Sequence, residues 1–104
     1  MAVMQVERFE VLYSSNQFAP RIALMHGNNF VGQLFFKPDG VTLPADGIVN
    51  GLVYLYYHLS DFRNIMELLR SDKGTWLSYG GAAAENSIRT SPDLVGAGEL
   101  VHPV

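Results

Sequence analysis

Hydrophobic and polar residues alternate with a period of two over four stretches ahead of residue 60, and the period then lengthens to that of a helix. In Glu7–Tyr13, Phe9, Val11 and Tyr13 share one face, with Arg8, Glu10 and Leu12 on the other. Val3 and Val6 fall outside that alternation, so the strand starts late or a bulge shifts its phase. Arg21–His26 places Ile22 and Leu24 inward. Phe30–Lys37 is apolar on both sides, Phe30, Leu34 and Phe36 against Val31 and Phe35, which predicts a central strand covered on both faces. Leu52–Leu59 sorts into a core face of Val53, Leu55, Tyr57 and Leu59 and a second face of Leu52, Tyr54, Tyr56 and His58.

Turn chemistry separates these stretches. His26–Asn29, "HGNN", predicts a tight hairpin because Gly and Asn tolerate positive φ. Pro38-Asp39-Gly40 and Ala45-Asp46-Gly47 are two similar turns in the long connection 38–51, and loops of that length are disproportionately functional. Phe62, Ile65, Met66 and Leu69 then form an apolar stripe at helical spacing. A helix over 61–73 follows, capped by Ser60 or Asp61 and ended by Gly74 at C′. Thr75–Tyr79 and Ser87–Thr90 complete the strands.

These elements predict an α+β domain over residues 1–90. Its core is a mainly antiparallel, strongly curved sheet of five or six strands in the order β-β-β-β-α-β-β, with one helix packed on one face. A helix of about 13 residues spans only about 20 Å and cannot shield both faces. Residues 91–104, "SPDLVGAGELVHPV", carry no period and read as a loose tail whose Leu94, Val95, Leu100 and Val101 could dock on a partner.

Composition sharpens this picture in three ways. With no cysteine, disulfides, thiolate nucleophiles and cysteine-based zinc sites are excluded. The net charge is −3, and the seven basic residues, Arg8, Arg21, Lys37, Arg63, Arg70, Lys73 and Arg89, are scattered, which disfavours a nucleic-acid partner. Charged residues make up 16% of the 104 residues, low against about 25% in average domains, which points to apolar surface hidden against a partner. The expected setting is cytoplasmic, since Met1–Glu10 lacks the pattern of a secretory signal and no apolar run is long enough for a membrane helix.

Candidate chemistry is sparse. "HLSD" places His58, Ser60 and Asp61 together, but triad members come from separated segments, and Ser60 and Asp61 read as helix caps. His26, His58 and His102 have no spacing that gathers metal ligands. The glycine pairs precede strands or lie in the tail, so no phosphate cradle opens a helix. Asp39 and Asp46 read as solvated turn residues. No catalytic residue, cofactor or metal is therefore predicted.

What remains is the aromatic face of Tyr54, Tyr56 and His58, which Trp76 could extend. Large amphipathic aromatics are enriched at the centres of protein interfaces. The expected function is a small non-catalytic binding or regulatory module that self-associates, as a dimer, through this face. One alternative is a single-stranded nucleic-acid-binding platform on which Tyr54, Tyr56 and Trp76 stack bases; the element order is similar to that of some such folds. Another is a small-ligand protein or enzyme with a pocket near the 38–51 loop. A third role for the face is simply more core.

Overall fold

The computed structural model describes residues 2–15 and 19–92; most of the predicted tail, 93–104, lies outside the described residues. Among them the order is β1 (Ala2–Val6), β2 (Arg8–Leu12), β3 (Arg21–His26), β4 (Asn29–Lys37), β5 (Gly47–Val49), β6 (Leu52–His58), α1 (Phe62–Leu69), β7 (Thr75–Tyr79) and β8 (Ser87–Arg89). The class is α+β, and five of the six strand pairings are antiparallel, with β4–β6 parallel.

The strands do not form one strongly curved sheet. They divide into a three-stranded sheet, β1-β7-β8, and a five-stranded sheet, β2-β3-β4-β6-β5. The division occurs at Glu7, the residue between β1 and β2, whose N–H still bonds to the Met25 carbonyl at 2.8 Å. The chain thus leaves one sheet and enters the other without a loop, as strands do at sandwich corners. Met4 and Val6 pack on the core from β1, and Phe9 does so from β2. The odd step from Val6 to Phe9 is the phase shift that disturbs the N-terminal alternation.

Two further differences arise within the five-stranded sheet. Residues 47–49, expected as loop, form the edge strand β5, joined to β6 by Asn50 and Gly51 at φ +52° and +83°. Positive φ at both central residues matches the right-handed twist of a hairpin. The second difference is a register shift: Leu24 opposes Gly32 but Met25 opposes Phe30, leaving Val31 as the extra residue of a bulge. The bulge reverses the expected faces, so Val31 packs on the core while Phe30 turns to the opposite side.

The inner face of the five-stranded sheet contributes Ile22, Leu24, Leu34, Phe36, Val53 and Leu55 to the core. Val6, Leu77 and Ile88 meet them from the three-stranded sheet, and Ile65 and Leu69 from α1. Gly32 lies where the layers come closest. A Cβ there would stand 2.8 Å from the Val53 carbonyl and 2.9 Å from a Leu77 methyl.

The helix is shorter than 61–73, and its caps differ from those expected. A single 3-10 turn, Leu59–Asp61, precedes α1, and neither His58 nor Asp61 supplies a side-chain cap. Instead Asp39 reaches across from the 38–46 loop to accept the Ser60 N–H at 2.9 Å. One of the donors that helix starts leave unpaired is thus satisfied from a distant segment. Gly74, at φ +85°, serves the turn before β7, several residues after α1 ends.

A candidate interaction face on the five-stranded sheet

Strand register determines which side chains share the outer face. Leu12 and Arg21 are paired across β2 and β3, Arg21 faces Phe35 on β4, and Phe35 faces Tyr56 on β6. One residue row along, Glu10, Ala23, Gln33 and Tyr54 line up in the same way. Tyr54 and Tyr56 therefore lie side by side on β6, and Phe35 on β4 packs its ring against both. Its ring centroid is 5.4 Å from that of Tyr56, at an interplanar angle of 22°, and 4.9 Å from that of Tyr54.

A groove of about 280 Å³ adjoins this aromatic group. Glu10, Leu12, Arg21, Phe30, Gln33 and Leu52 are among its walls, with Leu12 and Phe30 each 47% exposed. Val49, on the edge strand beside Leu52, is 43% exposed. Phe35, Leu52, Tyr54 and Tyr56 are half-buried on this face, while the core residues that meet α1 and the three-stranded sheet lie on the opposite one.

His58 continues the row from Tyr56, but its ring is committed to holding a loop. Its Nε2–H donates to the Val41 carbonyl at 2.8 Å. Among the described residues it makes no hydrogen bond to Ser60 or Asp61, so "HLSD" does not assemble a nucleophile, base and acid. Trp76 stands apart from the row. It belongs to β7, opposite Gln5 and Arg89, and its ring lies against Gly74. The sheet division that separates β7 from β6 removes it from the tyrosine face.

The two turn aspartates are not free in solvent. Asp46 Oδ1 accepts the Tyr56 N–H at 3.0 Å, and its Oδ2 accepts from Asn86 Nδ2 at 2.9 Å. Asn86 in turn accepts the Gly80 N–H at 2.8 Å and donates to the Gly81 carbonyl at 2.9 Å. This network ties the 38–46 loop to the β7–β8 connection. Tyr57, on the inner face, feels it: burial first, then the Asp46 carboxylate and more weakly Asp61, push its hydroxyl up to about 12, while a hydrogen bond with the Ile88 backbone acts in the opposite sense.

Two other concavities mark the surface. One, of about 490 Å³, lies along α1 beside Asn64, Leu68 and Lys73, and one, of about 320 Å³, lies between Met4, His26 and Val31. Neither these nor the groove by Arg21 is lined by a residue of 38–51, where the small-ligand alternative would place its pocket. Among the described residues no three His, Asp or Glu side chains gather as metal ligands, and no helix is long and apolar enough to cross a membrane. His102 lies outside the described residues.

The alternation in sequence pointed to Tyr54 and Tyr56 but missed Phe35, Phe30, Leu12, Glu10 and Arg21 as their neighbours. Leu12, Glu10 and Phe35 were each placed on the correct side of their own strands. Only the cross-strand register, and the bulge at Val31, bring them to one surface. Comparison of the chain with family models, with curated proteins and with solved structures gave no match.

Proposed function

We propose that this chain is a small non-catalytic binding module that self-associates, as a dimer, through the outer face of its five-stranded sheet. The observation that carries the reading is the contrast between the two faces of that sheet. The inner one buries Ile22, Leu24, Leu34, Phe36, Val53 and Leu55 in the core, while the outer one carries Leu12 and Phe30 exposed and Phe35, Leu52, Tyr54 and Tyr56 half-buried. A contiguous apolar surface rimmed by polar groups is the usual mark of an interface.

Charge favours protein over nucleic acid as the occupant. Arg8, Arg21 and Lys37 all lie on this side of the sheet, yet each has an acidic neighbour. Arg8 donates to the carbonyl of Gly27, whose N–H is held by Glu7. Glu10 is the diagonal neighbour of Arg21, and Asp39 lies just beyond Lys37 at the Ser60 N–H. A mixed surface of this kind lacks the continuous basic track that follows a phosphate backbone.

Sedimentation equilibrium tests the reading. The chain is expected to be dimeric, and Tyr54→Lys or Phe35→Lys to yield folded monomer. A chain that remains monomeric up to high concentration, or variants that dimerise as the wild type does, would sink it. Salt-sensitive binding of a single-stranded oligonucleotide by a monomeric chain would put base stacking on Tyr54 and Tyr56 in its place.

A further inference from the structure

Resting on the self-association reading, we infer that the second copy docks about a two-fold axis, with Glu10 of each copy meeting Arg21 of the other. Glu10 and Arg21 both line the groove on the outer face. Glu10 faces Ala23 and Leu12 faces Arg21, so the acid and the base are diagonal neighbours across β2 and β3. Such diagonal positions stand about 7–8 Å apart. Neither side chain makes an ion pair or a hydrogen bond among the described residues.

An unpaired acid beside an unpaired base on an apolar ground is self-complementary. In a two-fold interface the same patch is used by both copies, so a contact from residue i to residue j is matched by one from j to i. An axis lying in the interface and bisecting the line from Glu10 to Arg21 superposes each charge on its opposite in the other copy. Four charges then alternate in sign around the axis. Leu12, Phe30 and Leu52 close around them and exclude water, which strengthens the pairing and makes a mismatched charge costly. The guanidinium suits this role because its planar fork can meet a carboxylate with two hydrogen bonds.

Charge reversal at one member places like charges together twice, once on each side of the axis. Glu10→Arg and Arg21→Glu are each expected to raise the dimer dissociation constant by more than about tenfold. The combined charge swap, E10R with R21E, is expected to restore it to within about threefold of the wild type. Glu10 is exposed and Arg21 half-buried in the groove, and circular dichroism establishes that each variant is folded. Single reversals without effect, or a charge swap that fails to rescue, overturn the reciprocal pairing. If Tyr54→Lys dissociates the dimer while the charge variants do not, the pairing fails and the shared face stands. A wild-type chain found only as monomer overturns both.

Discussion

Single residues determine how closely the two layers of this molecule can approach. Gly32 is the clearest case, because its inner side faces the Val53 carbonyl and Leu77 at less than 3.0 Å from any added Cβ. The backbone oxygen cannot yield as a flexible side chain would. Gly32→Ala is expected to destabilise the fold by about 1–3 kcal/mol, the usual range for overpacking, and urea denaturation measures it. Tyr57 sets a second residue-scale expectation. Its hydroxyl is raised from 10.0 to about 12 in the folded chain. Its contribution is therefore fully present below pH 10 and is lost as pH rises through about 12, since the unfolded chain ionises first. Two pK units correspond to something on the order of 2–3 kcal/mol. Stability curves across that window should fall more steeply for the wild type than for Tyr57→Phe, and equal slopes would refute the assignment. Neither residue announced itself in the sequence. Gly32 read as one glycine among ten, and Tyr57 as one more core position, because the groups that crowd Gly32 and bury Tyr57 come from other segments of the chain.

At the scale of elements, the hairpins were legible and the clamps between elements were not. "HGNN" predicts a tight turn, and Gly27 adopts φ +62° between β3 and β4. The Asn50-Gly51 pair closes a second hairpin inside the connection expected as loop, where β5 is only three residues long. Asp39 and Asp46 carry ordinary turn chemistry, but their carboxylates act elsewhere, on Ser60, Tyr56 and Asn86. Asn86 lies 40 residues from Asp46, and no local rule links them. Asp46→Ala and Asn86→Ala are each expected to cost about 1–3 kcal/mol, because each leaves a partly buried polar group unpaired. A double-mutant cycle should give a coupling above about 0.5 kcal/mol. Strict additivity in thermal or chemical denaturation would show that the bond does not hold the loop. The helix stripe was read correctly, with Ile65 and Leu69 buried and Phe62, Met66 and Leu68 against the core. Its N-terminus was not, since the capping carboxylate comes from Asp39 rather than from the adjacent Ser60 or Asp61.

The described residues form two sheets and one helix around a shared core, and the side of the larger sheet turned away from that core follows from this arithmetic of faces. A five-stranded sheet has two faces, and the three-stranded sheet and α1 together occupy one of them. The seven basic residues are scattered along the sequence, but the fold gathers Arg8, Arg21 and Lys37 on one side of the sheet, with Glu10 diagonal to Arg21. Self-association through that side is the expectation that sedimentation and the charge swap examine. By itself the sequence determined the class, the positions of most strands, the apolar stripe of the helix and the two-faced character of Leu52–His58. These depend on period and turn chemistry, which are local. Only the tertiary structure decided that the strands divide at Glu7, that β6 lies parallel to β4, that Phe30 rather than Val31 faces outward, and that Trp76 is separated from Tyr54 and Tyr56. Those outcomes rest on pairings between segments far apart in the chain, and pairing is settled by packing the whole core at once.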